Sequence, residues 1–188
     1  MCIRDRLAVD SDQWSTTRAL VLTLPDVDHV YVCPRGVGPT RWNAVKNKNI
    51  QNLRRFYLLG QTLEAGQVYD IRRALEAIRS RPDLKDAPIT ATGSRAMAAN
   101  LLFASLFEPK LQLLTLEDMP STCSTGPYFL NIDRVCDGLG PALAIAAERT
   151  PVTLIDKRDD VAASYCAHVA KTLGWPESQF RQVKINTK

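Results

Sequence analysis

Apolar residues along the chain come in short blocks separated by segments of helical period. Five runs rich in β-branched and apolar residues read as strands: residues 29–33 (HVYVC), 89–92 (ITAT), 111–116 (LQLLTL), 152–156 (VTLID) and 181–185 (RQVKI). Between them, residues 66–79 place Val68, Ile71, Leu75 and Ile78 three and four positions apart, which predicts a helix with one apolar stripe, ended by Pro82. Residues 141–149 open with proline at a first-turn position. Residues 161–173 repeat a stripe through Val161, Tyr165, Val169 and Leu173 before Gly174 and Pro176 stop it. Strands alternating with helices of this length need right-handed crossovers. The predicted fold class is therefore α/β, a mainly parallel sheet with helices on both faces.

The most informative stretch is residues 88–107, PITATGSRAMAANLLFASLF. A short β-prone run enters Gly93-Ser94-Arg95-Ala96, and a helix apolar nearly all round follows at once. A strand that turns sharply into a buried helix through small residues can hold a side chain strained and exposed at the top of a sheet. Two registers are open. With Ser94 at the apex, small residues Gly93 and Ala96 flank a usable nucleophile. With Gly93 as the first glycine of a G-x-S-x-G pattern, the apex falls on Arg95, whose guanidinium stays protonated and cannot attack. The spacing from Gly93 to the helix stop at Glu108-Pro109 favours the Arg95 register.

With these residues in view, the chain resembles the C-terminal two-thirds of an α/β-hydrolase of the acetyl-xylan-esterase-like and prolyl-oligopeptidase-like branch. The carrying segments are residues 34–42 (PRGVGPTRW), 58–63 (LLGQTL), 68–74 (VYDIRRA), the elbow, 126–131 (GPYFLN) and 133–135 (DRV). The resemblance implies the order nucleophile, acid, histidine along the chain. It places the acid after the strand at 152–156, at Asp160 with Asp159 beside it; an aspartate just before a helix also serves as an N-cap. Glu117 and Asp118 are a second acid candidate. The histidine is expected a few residues past the last strand, where the chain reaches Lys188. His29 and His168, its two histidines, fit no such slot. A serine hydroxyl without its base is barely nucleophilic near neutral pH. The loop carrying Arg35 and Gly36 is implied to border the active-site mouth, where a backbone amide could serve an oxyanion. Arg35 and Arg95 together could present two cations to a carboxylate.

Length and composition fit one domain: 188 residues, 45% apolar and 23% charged. Residues 1–6 (MCIRDR) resemble a translated sequencing-adapter remnant and are set aside, leaving 7–188 as a partial α/β-hydrolase domain that lacks its beginning. The 24 basic and 20 acidic residues read as scattered, with Arg54-Arg55 a solvated pair, which argues against nucleic acid as a partner. No run approaches the 18 apolar residues of a membrane span. Gly36-Val37-Gly38 lacks the third glycine of a dinucleotide fingerprint, and the five cysteines show no zinc spacing, so neither a cofactor nor a metal is expected. A Cys123–Cys136 pair is conceivable only in an oxidising compartment. Three readings follow: a hydrolase-fold protein of the esterase or peptidase type that is incomplete and catalytically impaired; an active serine esterase using Ser94 on a small ester or peptide, with Asp160 as acid and a histidine lost beyond the C-terminus; or a binding or scaffold module with Arg95 at the nucleophile position. Fold alone does not choose among them.

Overall fold

The computed structural model of the chain describes residues 5–9, 28–42, 46–109, 111–124, 126–135, 138–156 and 160–184. In chain order its elements are β1 (Asp5–Val9), β2 (His29–Val32), α1 (Lys46–Leu58), α2 (Leu63–Ser80), β3 (Ile89–Ser94), α3 (Ala96–Ser105), β4 (Leu113–Glu117), α4 (Ile132–Val135), α5 (Gly140–Arg149), β5 (Val152–Asp156), α6 (Val161–Thr172) and β6 (Phe180–Lys184). The six strands form one sheet in the order β2-β1-β3-β4-β5-β6. Every neighbouring pair is parallel. The predicted parallel α/β class is the architecture observed.

Three elements are additions to the sequence reading: β1, α1 and the four-residue α4. Strand β1 lies between β2 and β3, with Asp5 opposite Ile89 and Arg6 opposite both Thr90 and His29. Asp5 and Arg6, set aside above with residues 1–6, thus sit in the ladder. A parallel ladder is made by backbone groups, so it accepts charged residues at a strand's start, and DRLAV is too short to show a period of two. Helix α1 was not anticipated either: KNKNIQNLRRFYL carries three asparagines, poor helix formers that blur its stripe.

The helices that cover the sheet follow simple local rules. Helix α2 starts where Thr62 caps it, its hydroxyl accepting from the Ala65 amide at 3.0 Å, with Glu64 in the first turn favoured by the helix dipole. Its buried stripe is Gln67, Ile71, Leu75 and Ile78, so a glutamine takes the place expected of Val68. Helix α3 is apolar all round because it is enclosed: Met97, Ala98, Ala99, Leu101, Leu102 and Ala104 are all buried. Helix α5 begins on Pro141 and packs its alanine face on α6, where Gly140 lies so close to Tyr165 that an added Cβ would stand 2.9 Å from the tyrosine Cβ.

Polar ties fix the helices to the strand ends. After β2, Arg35 grips Asp70 of α2 with both faces of its fork, Nε to Oδ2 at 2.8 Å and Nη2 to Oδ1 at 2.6 Å, while the Arg35 backbone amide donates to Oδ2 at 2.9 Å. Gly66 makes room, since a Cβ there would meet Arg35 Cδ at 3.0 Å. Gln67 Nε2 donates to the Arg35 carbonyl at 3.0 Å, and its Oε1 accepts from Asn100 Nδ2 of α3 at 2.9 Å. Arg149 donates to the carbonyls of Leu106 and Glu108 and so closes the C-terminal end of α3 from α5. Arg72 pairs with Glu108 at 2.8 Å and lies over the Phe107 ring.

Burial alone would raise the Asp70 carboxyl, but the hydrogen bonds from the Arg35 side chain and amide outweigh it and hold its pKa below the ordinary 3.8. A lowered carboxylate pKa stabilises the fold fully above the ordinary aspartate range and ceases to do so as pH falls through the lowered value. Both partners are partly solvated, which trims the effect. Asp70→Asn is expected to cost about 1 kcal/mol at pH 7 in urea unfolding, with the gap to the parent closing as pH falls below the ordinary aspartate range. A gap that persists unchanged at acid pH would rule out the ion pair as its source.

Candidate functional site

The chain leaves β1 toward β2 on one side and leaves β3 toward β4 on the other. In an open parallel sheet that reversal opens a crevice at the C-terminal ends of the two strands, the place where such sheets bind ligands. The elbow sits there. Ser94 is the last residue of β3, paired in register with Glu117, and it shares a sheet face with Thr90 and Thr92 rather than standing at the tip. Arg95 still donates its amide to the Glu117 carbonyl at 2.8 Å, after which the backbone turns at φ 53°, ψ −129°. Its carbonyl then accepts from the Ala98 amide at 3.0 Å, and α3 begins. The sharp bend therefore falls on Arg95, the register that the spacing to Glu108-Pro109 favours.

Gly93 explains why the bend is possible. A Cβ at this position would lie 3.0 Å from both Ala98 Cα and the Met97 carbonyl oxygen, backbone atoms that cannot swing aside. Strand and helix meet there at their closest. A bulky non-glycine residue at positive φ costs on the order of 1–3 kcal/mol, and here the buried helix behind it holds the strain. The Arg95 side chain is exposed, and no ion pair among the described residues involves it. Ala96 follows as the first residue of α3, half-buried against the core.

Asp160 caps α6: its Oδ1 accepts from the Ala162 amide at 2.8 Å, which realises the capping role. It is 2% exposed, and its Oδ2 is buried with no hydrogen-bond partner among the described residues. It follows β5, two strands from β3, or about 10 Å across the sheet. Asp159 lies outside the described residues, as does Cys136. Asp118 follows β4 with φ 48° and donates its amide to the Ile155 carbonyl at 2.7 Å. His29 begins β2, and so stands at the opposite end of the sheet from the elbow, while His168 is exposed midway along α6. Burial pushes the Cys166 thiol up to about 12, which leaves it an inert core group.

Arg35 and Gly36 follow β2, the outermost strand, with β1 between them and the elbow strand. The Arg35 guanidinium is committed to Asp70, so the expected pair of open cations is not formed. Gly36 takes φ 78°, and its open face packs near Leu63 and Trp42. The Gln67–Asn100 tie between α2 and α3 escaped the sequence reading. Its one visible signal is an asparagine in a helix otherwise apolar on every side. A cavity of about 450 Å³ lies away from the elbow, lined by Val30, Val32, Ala74, Ala77, Ile78 and Leu84.

No family model matches the chain, and no curated protein does. Solved structures do. A Bacteroides fragilis protein assigned as an acetyl xylan esterase superposes over 97% of this chain with a TM-score of 0.75 at 11% identity. The acylaminoacyl peptidase of Pyrococcus horikoshii covers all of it at TM-score 0.59 and 14% identity. Acetyl xylan esterase 1 of a Thermoanaerobacterium species covers all of it at 0.57 and 11% identity. This is the α/β-hydrolase fold. The chain spans 59% of the length of the first of these structures, 33% of the second and 69% of the third.

The bend between β3 and α3 falls on Arg95. Here that bend carries a permanent cation. The geometry makes two opposed stability predictions. Gly93→Ala should lower stability by about 1–3 kcal/mol, because only backbone movement can make room for the methyl group. Arg95→Gly should instead raise it by about 1 kcal/mol, the strain relieved exceeding the chain entropy lost. Thermal unfolding followed by circular dichroism reads both, and a destabilised Arg95→Gly would contradict the strained bend.

Proposed function

We propose that this chain is the sheet-and-elbow portion of an esterase- or peptidase-type α/β-hydrolase that does not work through a serine acyl-enzyme as it stands. The observation that carries this reading is the position of Arg95 at φ 53° on the strand-to-helix bend. An oxyanion site or a binding crevice can act only on an acyl group that a nucleophile or activated water attacks, and a guanidinium is neither nucleophile nor base at neutral pH. Ser94 lies one residue earlier, inside the ladder, where it cannot reach the apex without breaking the pairing with Glu117. Asp160 supports descent from a catalytic arrangement: a buried carboxylate that spends one oxygen on a helix cap and leaves the other without a described partner is the form an acid would take facing an imidazole. Neither histidine of the chain is placed to supply that imidazole. The names of the structural neighbours, two acetyl xylan esterases and an acylaminoacyl peptidase, support a small ester or peptide as the ligand of the crevice beside Arg95.

A fluorophosphonate probe tests the reading directly, since it labels a serine only where that serine is activated. The folded chain is expected to remain unlabelled and to hydrolyse p-nitrophenyl acetate no faster than buffer. Labelling that Ser94→Ala abolishes would overturn it and restore Ser94 as a nucleophile.

A further inference from the structure

Helix α1 stands apart from the rest of the molecule in charge and in packing. Its sequence holds Lys46, Lys48, Arg54 and Arg55 and no acidic residue. Four of the chain's 24 basic residues thus lie within one 13-residue segment. Leu53 and Phe56 turn partly inward, with Phe56 stacked on Trp42 at 5.6 Å between ring centroids. The outward side presents Ile50, Tyr57 and Leu58 on one stripe, flanked by Lys48 and Arg55, with Arg54 among them. Leu58 is 86% exposed and Leu59, just past the helix, 74%. Trp42 is exposed beside them. Among the described residues, Glu64 is an acid that reaches this corner: it accepts hydrogen bonds from the backbone amides of Tyr128 and of Glu64 itself, its Oε2 is buried, and, after burial, its charge raises the Tyr57 pKa.

We infer that α1, with Trp42 and Leu59, docks the protein on an anionic lipid surface. Leucines exposed to water beside a tryptophan and a tyrosine suit the boundary between headgroups and acyl chains, where an apolar edge and a polar tip are both satisfied. Lys48, Arg54 and Arg55, exposed on a helix that holds no acid, complement the negative surface of an anionic leaflet. A nucleic acid would use the cations but leave the leucines unsatisfied. An acidic protein groove would need a matching apolar lining, whereas a bilayer surface supplies both features without further shape. The helix is too short to span a membrane, and among the described residues no helix is long and apolar enough to do so. It therefore lies in the surface plane.

The test is flotation of the full chain with vesicles of about seven parts phosphatidylcholine to three of phosphatidylserine, against vesicles of phosphatidylcholine alone. Binding is expected only to the anionic vesicles, and it should fall steeply at about 0.5 M salt, where exposed charges are screened. Arg54→Glu with Arg55→Glu should weaken it about 100-fold or more, and Leu58→Asp with Leu59→Asp should abolish it. Lys171→Glu, an exposed lysine on α6, should leave it within about twofold. All five positions are solvent-exposed, and circular dichroism confirms that each variant is folded. No flotation of the folded parent overturns the inference, as does flotation that the α1 variants leave unchanged. Concentration-dependent dimers lost in Leu58→Asp/Leu59→Asp, without vesicle binding, would assign the face to a second copy and overturn it as well.

Discussion

The closest approach of strand to helix, at Gly93 over the Met97–Ala98 backbone, is the constraint on which the rest of the structure depends. Because nothing larger than hydrogen fits there, β3 must hand over to α3 within one residue, and that residue must take a backbone conformation few side chains tolerate. The buried apolar surface of α3, sealed on all sides, supplies the free energy that keeps the bend in place. The position of Arg95 at the sheet's upper edge follows from this packing, with no ion pair among the described residues holding its guanidinium.

Around that bend the polar network has a consistent direction. Asp70 holds Arg35 and thereby the loop after β2; Gln67 reads the same loop through its carbonyl and passes the constraint to Asn100 on α3. Two strand-to-helix junctions on different sides of β1 are thus tied to one helix, α2. Arg149 performs the same service at the far end of α3. Such ties are partly buried and charge-assisted, so they fix geometry more than they add stability. A fold can keep a scaffold of this kind after its chemistry has changed, since each tie serves the packing of α2 and α3 whatever stands at the apex.

Much of the fold is legible in the chain because local rules and tertiary packing agree there. The Ile71-Leu75-Ile78 stripe, the alternation in β3 and β5, Pro141 at a helix start and the Asp160 cap each follow from the pattern of a few neighbouring residues. What was missed has the opposite character. Strand β1 has too few residues for a pattern and exists because β2 and β3 flank it. Helix α1 has weak local propensity. Gln67 replaced Val68 in the buried stripe because its amide had two partners waiting, neither of them near it in sequence.

The same division applies to the candidate site. By itself the sequence determined that a small-residue turn joins a strand to a wholly apolar helix, that an aspartate follows β5, and that one of two neighbouring residues stands at the turn's tip, because these depend on composition and spacing within a few positions. Tertiary structure puts the tip at Arg95, the register that the helix-stop spacing already favours, because the β3–β4 ladder ends at Ser94 and Ala98 comes close to Gly93. It also decided that Arg35 is bound to Asp70 rather than open to a ligand, and that basic residues distant in number from any motif form one exposed helix. Those outcomes arise from contacts between segments 20 to 40 positions apart, and no local pattern encodes which of several compatible partners a side chain finally meets.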